Sequence, residues 1–204
     1  MRQGQIFEPE IVDAAARFIR RDSVLLDVGA SYGQRTVEFP RRVGEGGAVY
    51  SFETQKYVFE ILKKNLAANN CRNAIAVYGA VYDTDGVDIV FPEPYFIRFS
   101  SYGSYGLAPG ATKGPKVQSV TDDSLAIDRK ISFMKVDAQG SDLFAMRGAR
   151  ETIRRHRMPI LFEYEEQFQN EFETCFQDYV EFVAAIGYKF LETINKINYL
   201  IVPR

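Results

Sequence analysis

The chain of 204 residues carries 25 Lys and Arg against 27 Asp and Glu, a formal charge of −2, so no global field directs it to nucleic acid or to an anionic membrane. That length suits one domain with a sizeable core, and its two cysteines, Cys71 and Cys175, have neither metal-ligand spacing nor the density of a disulfide framework. No stretch approaches the roughly 18 apolar residues of a membrane span and the first residues lack a signal-peptide core, so the expectation is a soluble, cytoplasmic, single-domain chain over residues 1–204 with a small or locally recognised partner.

Residues 1–22 read as an N-terminal helix or cap, because Ile11, Val12, Ala15, Phe18 and Ile19 recur at helical spacing. The apolar run 24–26 is a strand that ends in Asp27 and runs into a turn in which Gly29 and Gly33 bracket Ala30, Ser31 and Tyr32. Strand, glycine turn and helix start make a ligand-binding device, since glycine permits close backbone approach and a helix N-terminus offers free N–H groups. The following helix carries Val37 and Phe39, is disturbed by Pro40 and ends in the glycines at 44, 46 and 47. A second strand over 48–52 stops at Glu53, a helical stripe holds Val58, Phe59, Leu62, Leu66 and Ala67, and a third strand covers 74–78. Strand alternating with helix over short connections predicts a parallel sheet with right-handed crossovers.

The middle breaks that alternation. Residues 81–82 and 87–91, parted by a turn, read as a strand–turn–strand excursion. Residues 92–116 then form a stretch rich in Gly, Ser, Tyr and Pro, either a surface loop or a substrate lid. Its aromatics, Tyr95, Phe96, Phe99, Tyr102 and Tyr105, would stack on a sugar ring or pack the loop on the core.

Alternation resumes with a short strand over 116–120, a capped turn over 121–125 and a buried strand over 131–136 ending in Asp137. Ser141 is placed to N-cap one helix carrying Leu143, Phe144, Met146, Ala149 and Ile153. The next strand, 159–162, ends in Glu163; a helix over 172–186 stops at Gly187; strands over 188–194 and 199–202 close the chain as a hairpin. The expected fold is α/β: a mostly parallel twisted sheet, helices on both faces, and one antiparallel C-terminal strand.

In such a sheet the ligand crevice lies outside the carboxyl ends of the strands, so Asp27, Glu53 and Asp137 should converge on one pocket. An acid at the end of strand two suits hydrogen bonds from a ribose diol. The turn lacks the middle glycine of a dinucleotide fingerprint and Asp27 stands close to it, which disfavours a pyrophosphate and favours a cofactor bearing ammonium and sulfonium charges. No G-K-[ST] follows, which excludes a Walker phosphate loop.

With these motifs, the chain resembles the FkbM family of S-adenosylmethionine-dependent methyltransferases: DVGASYG as the cofactor loop, SFE as the ribose acid, YGAVYDTDG after strand three, FMKVDAQGSDLFAMRGA as the family's lysine–hydrophobic–Asp–x–Glu–Gly block, and PILFEYE as the next strand. The resemblance implies a Rossmann-like class I methyltransferase fold. It also implies that Asp27 and the backbone of Gly29, Ala30, Ser31 and Gly33 hold the methionine end of S-adenosyl-L-methionine, Glu53 the ribose, and Ala80 and Val81 the side of the adenine. Gln139 stands where the family usually has Glu, a neutral replacement that suits positioning more than proton abstraction.

The activity implied is O-methylation of a hydroxyl on a saccharide or glycan precursor. Methyl transfer from a sulfonium needs alignment and exclusion of water, and an alcohol acceptor also needs a base. Asp137 is the first candidate for that base and equally for a cofactor-orienting acid; Glu163 is second. Tyr102, Tyr105 and Gln139 are candidates for binding the acceptor. A metal bridging Asp137 and Glu163 is chemically open, but no spacing demands one. His156, the only histidine, precedes a strand and so lies on the wrong side of the sheet; it is expected in a solvated basic turn. Two rival readings are an NAD-dependent oxidoreductase on a related fold and a catalytically silent cofactor-binding protein.

Overall fold

The computed structural model describes residues 7–92 and 105–204. The first helix, α1 (Pro9–Ala16), is followed by β1 (Val24–Val28), a 3-10 turn (Thr36–Glu38), α2 (Phe39–Val43), β2 (Ala48–Glu53), α3 (Lys56–Ala68) and β3 (Ala74–Tyr78). An excursion contains β4 (Ala80–Val81), β5 (Asp88–Val90) and β6 (Lys116–Val120). The chain then gives β7 (Ile131–Val136), α4 (Asp142–Arg147), α5 (Arg150–His156), β8 (Ile160–Glu163), α6 (Glu166–Phe172), α7 (Phe176–Ala185), β9 (Tyr188–Ile194) and β10 (Asn198–Pro203).

Seven strands form one sheet in the order β3-β2-β1-β7-β8-β10-β9. β1, β2, β3, β7 and β8 run parallel, and β10 is antiparallel to both β8 and β9. The sheet is the expected Rossmann-like one, with a single reversed strand. Strand alternation divides β1 between two layers. Val24, Leu26 and Val28 pack with Leu143, Met146, Ile153, Tyr179 and Val183 from α4, α5 and α7. Leu25 packs with Ile11, Ala15, Phe39 and Val43 from α1 and α2 on the other face. Helices therefore cover both faces, and the crevice between their loops opens at the carboxyl ends of the parallel strands.

Several sequence expectations change. Pro40 lies in the first turn of α2 and starts that helix, because a missing N–H is harmless there. β4 and β5 do not pair with each other: each pairs with β6, β4 in parallel and β5 antiparallel. The single helix expected after Ser141 is two, parted at Gly148, where a Cβ would lie 2.0 Å from the Tyr82 carbonyl oxygen of the excursion. Ser141 does not cap α4 through its side chain; the Asp142 carboxylate accepts the N–H groups of Ala138 at 3.2 Å and Gly140 at 3.1 Å. α6 escaped the sequence reading because its few apolar positions make too short a stripe.

His156 is buried, not solvated. Its Nδ1 accepts the Ile131 N–H at 3.2 Å and its Nε2 lies 3.1 Å from the Ile127 carbonyl oxygen, which assigns the proton to Nε2. The ring ties α5 to the amino end of β7, opposite the crevice. Burial holds its pKa below the ordinary histidine value. The unfolded chain then binds the extra proton more readily, so this residue destabilises the fold as pH falls through the ordinary histidine range, near 6.5. His156→Phe is expected to flatten the Tm profile between about pH 7 and 5; an unchanged profile removes His156 as the source.

Candidate active site

A cavity of about 320 Å³ opens at the carboxyl ends of β1, β2 and β7, within the usual size of ligand pockets. Gly29, Ala30, Ser31 and Tyr32 border it beside Glu53, and Asp137, Gln139 and Glu163 form the opposite wall. Phe52, Val58, Val81, Phe91 and Leu107 supply an apolar side. Among the described residues, five lining side chains are acids (Glu8, Glu53, Asp137, Glu163, Glu165) and Arg35 is the one Lys or Arg. Such a wall favours a ligand carrying positive charge.

The glycine loop does something other than expected. Gly29 and Ala30 donate their N–H groups to the Phe52 carbonyl at 3.1 and 2.8 Å, Gly33 donates to Ala30 at 2.9 Å, and Ser31 donates to Glu53 Oε2 at 2.9 Å. These amides fasten the loop to the end of β2 and are not left for a phosphate. Gly29 has φ +73°, and a Cβ there would lie 1.8 Å from the Asp137 carbonyl oxygen. The glycine is needed because the loop crosses the end of β7 at contact distance.

Glu53 is the best-built ligand group in the cavity. Its Oε1 accepts the Gln55 N–H at 2.7 Å and its Oε2 the Ser31 N–H, and a carboxylate, with about four acceptor sites, has capacity left for a diol. Burial pushes its pKa up to about 7 against the backbone N–H groups of Gln55, Ser31 and Thr54 and the charge of Lys135.

Asp27 does not line the cavity. It is 1% exposed, its Oδ2 accepts the Thr36 hydroxyl at 2.5 Å and its Oδ1 is ion-paired with Lys135 Nζ at 3.1 Å. Register explains this: Asp27 and Lys135 are direct partners across β1 and β7, on the face covered by α2. The charge that the sequence reading set against a pyrophosphate is thus compensated, and among the acids that border the cavity Glu53 and Asp137 take over that part. Gly33 and Ala80 also fall outside the lining. Ala80 packs with Phe91, Leu107 and Val117, while Val81, the next residue along the strand, borders the cavity.

Asp137 is clamped. Its Oδ2 pairs with Arg35 Nη2 and lies 3.6 Å from Lys135 Nζ, and its Oδ1 accepts Gln139 Nε2 at 3.0 Å. The two cations and the amide hold its pKa well below the ordinary carboxylate range despite burial, which makes it a weak proton acceptor. Gln139, at φ +50°, reaches Glu163 Oε1 at 3.5 Å with the same amide. Burial and the neighbouring Asp137 push Glu163 up to about 11, so this carboxyl carries a proton at neutral pH.

Lys135 and Arg35 were not assigned from sequence. Lys135 donates to the carbonyls of Gly29 and Val28 at 3.1 and 3.4 Å besides its ion pairs. A lysine inside the run ISFMKV was the available signal, since a buried ammonium must be paired. Of the loop aromatics, Tyr95, Phe96, Phe99 and Tyr102 lie outside the described residues; Tyr105 borders the cavity with Gly106 and Leu107. Among the described residues no group of three or more His, Cys, Asp or Glu side chains is arranged to hold a metal, and no helix is long and apolar enough to cross a membrane.

A family model described as the methyltransferase FkbM domain matches residues 27–190. Comparison with curated proteins found no match. Among solved structures, an FkbM methyltransferase from Methylobacillus flagellatus superposes with a TM-score of 0.60 at 14% identity, over 93% of this chain and 49% of that one. This chain therefore spans about half the length of that protein. A SAM-dependent O-methyltransferase from Thermotoga maritima gives 0.57 at 13% identity over 98% and 66% of the two chains. An rRNA methylase from Streptococcus thermophilus gives 0.53 at 13% over 97% and 96%. At such identities these likenesses establish the fold.

Proposed function

The chain belongs to the FkbM methyltransferase family, whose cofactor is S-adenosyl-L-methionine, and on that premise we propose that it methylates a hydroxyl of a saccharide or glycan precursor. The observation that carries the cofactor site is Glu53: a recessed carboxylate that borders the cavity, anchored by the glycine-loop amide of Ser31 and the amide of Gln55. The residues fit the cofactor, with Glu53 for the ribose hydroxyls, Val81 and its apolar neighbours beside the adenine, and the carboxylate of Asp137 for the cationic end. When bound, S-adenosyl-L-methionine supplies an already activated methyl group on a sulfonium, so the protein's share is alignment and exclusion of water.

Asp137 is the orienting acid of this site, since both its oxygens are occupied. The acceptor's proton goes to the carboxyl group pair at the end of β8. Glu163 already holds a proton and is hydrogen-bonded to Glu165, and Glu165 is the half-buried member at the cavity edge. Tyr105 forms part of the acceptor side. The acid rim repels a phosphate backbone, which supports a small or glycan acceptor over RNA. The two free cysteines, one buried and one exposed, support a reducing, cytoplasmic setting.

Incubation with S-adenosyl-L-methionine and candidate acceptors, read by mass spectrometry, tests the reading: saccharides should gain one methyl, and methylation of RNA alone would overturn the acceptor assignment. Gln139→Glu removes the amide that bridges Asp137 and Glu163 and adds a third carboxyl group. It should lower kcat about tenfold, the loss of one such bond in the transition state. Turnover that appears only in the variant would instead favour a silent protein.

A further inference from the structure

Arg35 has contacts that the chemistry above does not use. Its Nη1 pairs with Glu8 and its Nη2 with Asp137, its guanidinium stands 5.7 Å from the centre of the Phe7 ring, and all four residues border the cavity apart from any role for Glu53. A guanidinium has five N–H donors, and these two pairs leave others free. Phe7 and Glu8, just before α1, are thus held at the cavity by a carboxylate on its arginine.

The cofactor's methionine end is an α-amino acid, with an ammonium and a carboxylate on one carbon. Its carboxylate needs donors, and the loop amides of Gly29, Ala30, Ser31 and Gly33 are already spent within the chain. Among the described lining residues Arg35 alone carries a positive side chain, beside an acid suited to the ammonium. Local charges agree: Arg35 and Lys135 face Glu8, Asp27 and Asp137, one carboxylate in excess. Glu8 is the dispensable one. It is held at φ 46° and ψ 65°, a left-handed conformation that is strained for a non-glycine residue.

We propose that the Arg35–Asp137 pair is the seat of the cofactor's α-amino-acid head, and that Glu8 is a placeholder carboxylate that leaves Arg35 when the ligand's carboxylate arrives. Binding then exchanges one Arg–carboxylate pair for another and releases Glu8 from Arg35. This rests on the methyltransferase reading above and adds to it a built-in competitor for the cofactor.

Isothermal titration with S-adenosylhomocysteine and with 5′-methylthioadenosine, which lacks the amino-acid head, separates the two claims. Arg35→Gln should weaken S-adenosylhomocysteine about 30-fold or more, the scale of a lost charge-assisted pair, and 5′-methylthioadenosine less than about threefold. Glu8→Gln should tighten S-adenosylhomocysteine about threefold or more and leave 5′-methylthioadenosine unchanged, and it decides the matter if the Arg35 variant does not fold. Equal losses for both ligands in Arg35→Gln, or unchanged or weaker S-adenosylhomocysteine binding in Glu8→Gln, would overturn the proposal alone. A wild-type chain that binds neither ligand would overturn the methyltransferase reading with it.

Discussion

Glu53→Ala is expected to weaken S-adenosylhomocysteine binding by about 1.5–3 kcal/mol, the worth of hydrogen bonds to a charged group, or about 10- to 150-fold in Kd. The wild-type residue is expected to make that affinity pH-dependent. Its pKa is pushed up to about 7 by burial, and only the ionised form offers every oxygen lone pair to the ribose hydroxyls. Binding should tighten as pH rises through 7, and the alanine variant should lose this slope. Stability moves the other way. A carboxyl whose folded pKa lies above its unfolded value favours the fold at low pH and loses that contribution as pH rises through the folded value. Glu53→Ala should therefore keep its Tm near pH 8 while losing affinity, a combination that separates a ligand group from a structural one. Unchanged affinity would remove Glu53 from the site.

Lys135→Met should be the most destabilising single change of those considered. Lys135 and Asp27 are 3% and 1% exposed, and the same ammonium supports the loop carbonyl of Gly29. Removing one partner of a buried pair leaves the other charge uncompensated, at about 3–5 kcal/mol. For a domain of this size that lowers Tm by on the order of 10 °C, as read by thermal unfolding. Asp27→Asn together with Lys135→Met should recover part of the loss, because the stranded carboxylate is then neutral. Without recovery, the damage comes from the loop carbonyls and not from the charge.

Much of the fold was legible because its signals are local. The bounds of β3, β6, β7 and β9 follow apolar runs closed by turn residues, and Gly187 at φ +72° ends α7 as glycine at that position should. What escaped depends on contacts between distant segments. Gly148 reads as one more residue in a helical stripe until Tyr82 is laid against it. β4 and β5 look like a hairpin because the sequence cannot show that β6 inserts between them.

The site divides in the same way. Glu53, Asp137 and Glu163 were found because strand ends are legible and the crevice lies there. Asp27 ends a strand as well, but its face is set by register with Lys135, which only the folded sheet reveals. The family's usual Glu, here Gln139, reads as a lost charge in sequence; in the structure its amide joins the carboxyl groups of Asp137 and Glu163.

The most direct measurement is equilibrium titration of the purified chain with S-adenosyl-L-methionine and, separately, with NAD. The account predicts one saturable site for S-adenosyl-L-methionine, weakened by Glu53→Ala, and no binding of NAD, because the amides of Gly29, Ala30 and Ser31 that would grip a pyrophosphate are bonded to Phe52 and Glu53 at the end of β2. Binding of NAD without binding of S-adenosyl-L-methionine would contradict it.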